Sequence, residues 1–292
     1  MDFARQGLLL VIAAFLTACG GGASTTTEGP TAGLGCDPGN AATHNECGTV
    51  IVGLTDADGD FLNYTVDVLS IELETANGRV VETLPRTTRI NFTDYVDLTE
   101  IVSARLVPPA TYVAGTIRLD YSNAEIFVEA NGEAKEAIVK DLDGNVLGQT
   151  ELRIRLSNRD QLRIVRGRAA LLQLDFDLAA SHTVDIVPSP AEAVTEQFIL
   201  AETSPVDEKD IRVRGPLISV SEDAMSYSVA IRPFHDLQGD FGRVTVFVTA
   251  DTEFEVNEEV FAGIDGLRAL NAAGPGTPTV AAGTLDVANR EF

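Results

Sequence analysis

An all-β fold is the class that this sequence predicts, and two observations support it. From Gly48 onward, apolar residues recur at every second position in many short runs, which is the period of half-buried strands. Turn-forming sequences such as ANGR, EANGEA and LDGN separate these runs. We therefore predict an antiparallel β-sandwich of the immunoglobulin or prealbumin kind, followed by a smaller OB-like β-barrel. We expect this barrel to be incomplete in this sequence.

Composition narrows the classes of partner. The 292 residues are 45% hydrophobic and 22% charged, which is enough to bury a core in about two domains. Asp and Glu number 44 against 21 Lys and Arg, so the formal net charge is −23 at pH 7. Binding to phosphate backbones needs clustered cations. We therefore expect no nucleic-acid partner.

The first element along the chain is the apolar run LLLVIAAFL at residues 8–16. It is much shorter than the roughly 20 residues that span a bilayer, so residues 1–18 are interpreted as a signal peptide. The following Leu16-Thr17-Ala18-Cys19 resembles the lipobox of bacterial lipoproteins. The resemblance implies that Cys19 is acylated and holds the chain to a lipid bilayer of the cell envelope, and Gly20 implies the outer membrane. The alternative is a buried apolar helix with an incidental Cys.

A flexible tether with a cysteine pair follows at residues 19–47. The stretch GGGASTTTEGPTAG is glycine-rich and polar, which is typical of a flexible linker. Once Cys19 is assigned, Cys36 and Cys47 remain, and we predict a disulfide between them in an oxidising compartment. Such a bridge would be worth on the order of 3 kcal/mol. A zinc site using His44 and Cys47 is a weaker alternative, because further ligands are lacking nearby.

Residues 48–187 are the predicted sandwich. In RAALLQLDFDLA, apolar residues alternate with polar ones from Leu172 to Leu178, and a similar alternation runs from Val113 to Tyr121. In NYTVDVLSIELE the apolar parity slips after Val68, which predicts a β-bulge. The stretch DLTEIVSARL is expected to form a short helix.

A linker and the predicted barrel complete the chain. Residues 188–210 contain three prolines and an acidic cluster, which is typical of a connection between domains. Residues 211–292 return to strand patterns in IRVRGPLISV, YSVAIRPF and RVTVFVTADTEFEV. The final AAGTLDVANREF also has the pattern of a strand.

A family resemblance covers the predicted sandwich. VGLTDADGDFLNYTVDVLSIEL resembles the opening of a bacterial lipoprotein domain of unknown function that typically begins L-T-D-A-P-G-D. LVPPATYVAGTIRLDY and GRAALLQLDFDLAAS are similar to later strands of that family. Asp58 and Ala110 depart from its usual Pro and Gly. Residues 211–292 resemble, more loosely, a second uncharacterised β-barrel domain. Neither resemblance implies a catalytic residue.

Acidic clusters are the first candidates for a metal site. Two clusters have the alternate oxygen spacing of calcium loops, and their members are Asp56, Asp58 and Asp60, and Asp141, Asp143 and Asn145. Neither has the Gly and Glu that an EF-hand requires at its sixth and twelfth positions. We interpret both as turns stabilised by their own side chains, with calcium as the alternative. No other cofactor is expected.

Catalytic motifs are missing from the sequence. GxSxG, HExxH and GxxxxGK[ST] do not occur, and the imidazoles are limited to His44, His182 and His235. We therefore expect a binding or structural module of the cell envelope with a glycan or protein partner, and no enzyme. The alternative is a hydrolase of envelope polymers, for which His182 or His235 would have to lie near both a carboxylate and a Ser.

One basic island stands out in this acidic chain. LRIRLSNRDQLRIVRGR contains six arginines, of which Arg153, Arg155 and Arg163 are the candidate anion-binding residues. A hairpin turning at SNRD would place them on one solvent-exposed face. The alternative is that they form ordinary surface ion pairs with neighbours such as Glu151 and Asp175.

Overall fold

The computed structural model describes residues 35–55, 60–96, 98–156, 161–195, 199–200, 210–232 and 239–284. The predicted signal peptide and Cys19 lie outside these residues, as do Asp56, Asp58, Arg159 and His235. The described chain is mostly β-strand, which confirms the all-β class. None of its helices is long and apolar enough to cross a bilayer.

The first part of the chain consists of thirteen strands and a few short helical turns. The strands are β1 Gly48–Thr55, β2 Phe61–Thr75, β3 Val80–Glu82, β4 Thr88–Asn91, β5 Leu98–Val107, β6 Ala110–Ala130, β7 Glu133–Lys140, β8 Gln149–Arg155, β9 Leu162–Ile164, β10 Ala169–Asp177, β11 His182–Asp185, β12 Ala191–Thr195 and β13 Ile199–Leu200. Helical turns occupy Ala41–Glu46, Phe92–Tyr95 and, as α1, Leu178–Ser181.

The second part of the described chain contains six further strands and one longer helix. The elements are β14 Asp210–Ser221, β15 Ser226–Ala230, β16 Arg243–Phe247, β17 Glu253–Val256, β18 Glu259–Ala262, α2 Gly263–Ala273 and β19 Pro278–Gly283. The sequence pattern did not predict α2. The buried face of α2 contains only two large side chains, Leu267 and Leu270, so few apolar residues mark its helical period in the sequence.

The strands form two large sheets and a separate hairpin. The first sheet has the order β13-β10-β1-β5-β14-β15-β16, with β19 also paired to β14. The second has the order β11-β12-β7-β6-β2-β3, with β4 on β2 and both β8 and β9 on β6. β17 and β18 pair with each other. Most pairs are antiparallel, but β1 with β10, β5 with β14 and β7 with β12 are parallel.

Aromatic side chains join the two sheets. Tyr64 of β2 in the second sheet meets Phe176 of β10 in the first, with ring centroids 6.0 Å apart. Phe92 packs on the same Phe176 at 4.7 Å. All three side chains are buried. Large apolar groups from two facing sheets therefore share one core, which is the arrangement of a β-sandwich.

The buried residues of β2 follow the alternation seen in the sequence, including its slip after Val68. Val66 and Val68 are buried, and so are Ile71 and Leu73, which have the opposite parity. The pairing of β2 with β6 shifts its register between Val68 and Ser70. The predicted β-bulge is thus confirmed at this point.

The helix expected in DLTEIVSARL is wrong, because residues 98–107 form strand β5. β5 lies between β1 and β14 and hydrogen-bonds to both. Its β-branched residues Thr99, Ile101 and Val102 are all buried. Side chains of this kind suit a strand that is covered on both faces, and here packing outweighs the weak helical pattern.

The predicted barrel is not closed in the described part of the chain. Instead β14 pairs in parallel with β5, from Asp210↔Leu98 to Arg212↔Glu100, so the first sheet continues across the predicted linker. The described residues belong to one compact unit, Leu34–Phe292. The boundaries at 48–187, 188–210 and 211–292 stay predictions about which parts fold independently.

Candidate functional site

The arginine row, defined as Arg153, Arg155 and Arg163, lies along one edge of β6. Arg153 and Arg155 on β8 are opposite Thr116 and Ala114, and Arg163 on β9 is opposite Thr111. β8 and β9 therefore lie end to end on β6, and the predicted pairing of the two strands as a hairpin is wrong.

The row is nevertheless exposed on one face of the sheet, as predicted. All three arginines are exposed, whereas the residues that alternate with them are buried, namely Leu152, Ile154, Leu162 and Ile164. Arg155 and Arg163 are paired with Ala114 and Thr111, which lie three positions apart on β6. At about 3.4 Å per residue, that spacing is about 10 Å. The pairing of β2 with β6 shifts its register between Ala114 and Tyr112, so the regular alternation of faces is interrupted between these two positions.

The members of the row differ in their ion pairs. Arg153 Nη2 lies 2.5 Å from Glu74 Oε2 on β2. Glu151, the predicted partner, is instead 3.1 Å from Nε of Arg118. Among the described residues, Arg155 and Arg163 form no ion pair. Two exposed guanidinium groups are thus left for another anion.

An open hollow of about 400 Å³ lies beside the free end of the row. It is lined by Thr111, which is opposite Arg163, and by Arg79 from the turn between β2 and β3. A guanidinium presents its N–H donors in a planar fork that matches carboxylate and phosphate oxygens. Arg79 therefore lines a space large enough for a small anionic group, and Arg163 lies opposite one of the other residues that line it.

The cysteine pair holds the start of the folded chain next to this region. Cys36 and Cys47 form a disulfide, as predicted. The backbone N–H of Gly167, in the turn after β9, donates to the Cys47 carbonyl at 2.7 Å. Arg166 in the same turn pairs with Glu46 at 2.7 Å. The zinc alternative for Cys47 is wrong, because its sulfur is bonded to Cys36.

Gly48 explains how closely these segments approach each other. A Cβ atom at this position would lie 2.4 Å from Cγ2 of Ile164 and 2.6 Å from the carbonyl oxygen of Val165. Only glycine leaves room for that contact. The cystine segment and the basic turn after β9 are consequently fixed to each other at the start of β1.

The calcium candidates form turns in the part that is described. Asp141 Oδ1 accepts hydrogen bonds from the backbone N–H groups of Asp143 and Asn145, at 3.0 and 2.8 Å. The Asn145 side chain donates to the other oxygen, and its hydrogen bonds lower the pKa of Asp141. Asp60 is exposed, and no group of three or more potential metal ligands occurs among the described residues.

His182 belongs to a buried chain of hydrogen bonds. Its Nδ1 lies 2.9 Å from the Leu178 carbonyl, which can only accept, so Nδ1 carries the proton. Nε2 of the neutral ring therefore accepts from the Tyr64 hydroxyl at 3.0 Å. The Tyr64 oxygen in turn lies 2.8 Å from the Tyr121 hydroxyl, which must donate to it. Both ring nitrogens are engaged within the core.

Burial controls the titration of this chain of groups. It lowers the pKa of His182, with the hydrogen bond to Leu178 opposing the effect. It raises the pKa of Tyr121 well above its ordinary value. His182 and Tyr121 therefore stay neutral at pH 7. A neutral, hydrogen-bonded His inside the sandwich contributes to the structure of the core.

A buried carboxylate was missed by the sequence analysis. Glu100 on β5 is fully buried and accepts from Nε of Arg212 at 2.5 Å and from Nε of Arg214 at 3.0 Å. Burial, and next the charge of Glu100, raise the pKa of nearby Tyr95. The alternation of Arg212 and Arg214 with apolar residues was a signal that the two share one face. Their partner could not be identified, because it lies far away in the sequence.

Comparison with known proteins identifies one family. A family model described as a domain of unknown function (DUF4382) matches residues 47–192. The match covers half of the chain and agrees with the resemblance seen in the sequence at 48–187. No curated protein matches the chain. No solved structure matches it either.

Proposed function

The chain belongs to this family of domains of unknown function, and we propose that it is a lipid-anchored module of the bacterial cell envelope that binds anionic ligands through Arg155 and Arg163. The observation that supports binding is that Arg155 and Arg163 are exposed and form no ion pair with any residue that the structure describes, on a chain of net charge −23. Cations that served only to neutralise the surface would be expected next to carboxylates, as Arg153 and Arg118 are.

Anchoring rests on the lipobox resemblance at residues 16–19 and on the glycine-rich tether that follows it. The test is the Cys19→Ala variant of the full chain. We expect the acylated wild-type chain to enter the detergent phase of a temperature-induced phase separation and the variant to stay in the aqueous phase, since one acyl anchor would be lost. Equal partitioning of the two chains into detergent would contradict the proposed anchor.

The ligand class follows from the geometry of the row. Carboxylates spaced along an acidic polysaccharide, or phosphates of an envelope glycolipid, could contact both arginines, whose backbone positions are roughly 10 Å apart along β6. Each exposed contact contributes up to about 1 kcal/mol, and low salt strengthens it because screening is weaker. Both ligands share one chemistry, an anionic oxygen group that accepts two N–H donors.

The binding test compares two pairs of arginines. An acidic polysaccharide and an inorganic phosphate salt are titrated against the wild-type chain, the Arg155→Ala/Arg163→Ala variant, and the triple variant that adds Arg153→Ala. We expect the double variant to lose about tenfold in affinity for the bound probe, and the triple variant to lose little more because Arg153 is already paired with Glu74.

The matched control is Arg89→Ala/Arg268→Ala, which removes the same charge from two arginines that already pair with carboxylates. Its affinity should remain within about twofold of wild type, since their partners already neutralise them. An equal loss in the control would show a general charge effect. The proposal fails in that case, and also if the wild-type chain binds neither probe at low ionic strength.

A further inference from the structure

Strand β8 has one open edge in the described part of the chain. It pairs along its whole length with β6, from Gln149↔Asp120 to Arg155↔Ala114. No other described strand pairs with β8. A strand that is paired on one side leaves the backbone N–H and C=O groups of its other side without strand partners. Such an edge is a template for pairing with a further strand.

The hydrogen bonds to β6 show which groups of β8 face the open edge. The Leu156 N–H donates to the Val113 carbonyl at 2.9 Å, and the Tyr121 N–H donates to the Gly148 carbonyl at 3.1 Å. Both bonds continue the register of β8 with β6, and hydrogen-bonded pairs recur at every second position of an antiparallel ladder. The even-numbered residues of β8 therefore bond to β6. The odd-numbered ones direct their N–H and C=O groups to the open edge, and they are Gln149, Glu151, Arg153 and Arg155.

The side chains of β8 limit how a second copy of this strand can pair with it. The odd-numbered residues are exposed, whereas Leu152 and Ile154 are buried in the core of their own chain. Residues directly opposite each other in a sheet have their side chains on the same face. Odd-numbered residues of one copy must therefore be opposite odd-numbered residues of the other. This condition leaves only a few antiparallel registers.

The charges along β8 select one of these registers. With the two-fold axis at Leu152, Glu151 of each copy is opposite the partner's Arg153. Both charge pairs across the axis are then attractive. An axis at Glu151, Arg153 or Ile154 would instead place like charges directly opposite each other, which is destabilising. The open edge of β8 is thus complementary in charge to a second copy of itself.

We propose that two copies of the chain associate through antiparallel pairing of their β8 edges about Leu152, so that the second sheet continues across the dimer. Glu151 and Arg153 already pair within the chain, with Arg118 and Glu74 respectively. A carboxylate has several acceptor positions and a guanidinium has five N–H donors, so each group can bind a second partner. The proposal does not depend on the anchor or on anion binding.

Light scattering, which gives the molar mass in solution, tests this association. Every chain contains Cys19→Ala, so that no lipid contributes, and is measured at about 100 µM because an interface of one strand pair is small. We expect twice the mass of one chain for the reference. Glu151→Arg and Arg153→Glu should each give the mass of one chain, since each places like charges opposite each other. Arg268→Glu reverses a charge on α2 and should leave the dimer intact.

An equal mixture of the two β8 variants separates pairing between copies from effects within one chain. The Glu151→Arg chain has arginine at both positions and the Arg153→Glu chain has glutamate at both, so a mixed dimer contains only opposite-charge pairs. We expect the mixture to recover the mass of a dimer. Lost pairs with Arg118 or Glu74 are not restored by mixing and cannot explain that recovery. A monomeric reference chain, dimeric single variants or a monomeric mixture would each overturn the proposal.

Discussion

The hydrogen-bonded group of Tyr121, Tyr64 and His182 shows how single residues set the properties of this core. Because the Leu178 carbonyl fixes the proton on Nδ1, every later hydrogen bond has a defined direction, from Tyr121 to Tyr64 to His182. A proton added to Nε2 would force the Tyr64 oxygen to accept twice or to reverse its own bond. The chain of groups therefore opposes protonation of the ring beyond the cost of burial alone.

The first prediction is a loss of stability on acidification that depends on His182. Burial lowers the folded-state pKa of His182 below its ordinary value near 6.5, so below that pH the unfolded chain binds a proton that the folded chain does not. Stability from this group is complete above about pH 6.5 and falls as the pH decreases toward the folded pKa. Urea unfolding at pH 7.5 and 5.5 measures the effect.

The variants for this test are His182→Gln and His44→Gln. The decrease in the free energy of unfolding from pH 7.5 to pH 5.5 should be smaller in His182→Gln than in wild type, because the variant has no imidazole to titrate at this position. His44→Gln should behave like wild type, since that ring is exposed. An identical loss in all three chains would refute the assignment to His182.

Several residue-level expectations came directly from the sequence. The pairing of Cys36 with Cys47 followed from counting cysteines, and the exposure of the arginine row followed from its alternation with apolar residues. The ion pairs did not follow in this way. Glu74 and Glu100 meet their arginines across strands, and the sequence separation from Glu100 to Arg212 is 112 residues. Only the fold brings such residues together.

Strand β14 connects the two parts of the first sheet, because it pairs with three other strands. It pairs with β5 at its start, with β19 along its middle and with β15 at its end. Nearby, the Phe241 carbonyl accepts from the Ala104 N–H at 2.8 Å and so holds the start of β16 against β5. At Gly242, just before β16, the backbone passes close to the Ala104 carbonyl of β5.

The second prediction concerns Gly242→Ala. At φ 96° a Cβ atom would lie 2.1 Å from the Ala104 carbonyl oxygen, so the substitution combines backbone strain with a clash that neither strand can relieve. Gly274 is the matched control, because its φ is 85° and no atom lies within 4 Å of its Cβ position. Gly274→Ala should cost about 1 to 3 kcal/mol, from strain alone.

Gly242→Ala should lower the free energy of unfolding by at least about 1 kcal/mol more than Gly274→Ala does, because its Cβ atom also overpacks the junction. Chemical denaturation of both variants gives the comparison. Equal destabilisation would mean that β16 can move away from β5 without loss, which would contradict the tight junction described above.

Element by element, local periodicity was informative where a strand has one buried face. β2, β6 and β10 have the predicted parities, and the bulge in β2 was visible as a slip of that parity. β5 was misassigned because both of its faces are covered, which removes the alternation. α2 was missed because it is short, follows a long stretch of strand-like pattern, and contains two glycines that weaken the helical signal.

At the scale of the whole molecule, the first sheet contains strands from both of the domains that were predicted from the sequence. The junction consists of the parallel pairing of β5 with β14 and the buried carboxylate of Glu100 between Arg212 and Arg214. A composition change at 188–210 suggests a linker, but composition contains no information on which strands pair. The all-β class was therefore predictable, and the continuity of the sheet was not.

The third prediction is that both parts unfold together. The chain has no Trp, so Phe127→Trp and Phe247→Trp place one reporter in each part at similarly exposed sites. We expect the two reporters to give the same urea midpoint. Glu100→Gln should lower the free energy of unfolding by on the order of 3 kcal/mol, because it breaks a buried ion pair. The urea midpoints of the two reporters should therefore fall by the same amount.

Glu151→Gln is the control for this experiment, since Glu151 pairs with Arg118 at the surface and its loss should cost less than about 1 kcal/mol. Two midpoints that differ clearly between the reporters would support the independent domains suggested by the sequence. A shift of only one midpoint in Glu100→Gln would do the same.

Under the proposed anchor at Cys19, the link from the cystine to β1 would have a mechanical consequence. Tension applied before Cys36 passes through the sulfur–sulfur bond to Cys47, so the eleven-residue separation between the two cannot be drawn out. The load then reaches β1, which has β10 on one side and β5 on the other. A pull along that strand must shear both ladders at once, whereas an edge strand would peel away one hydrogen bond at a time.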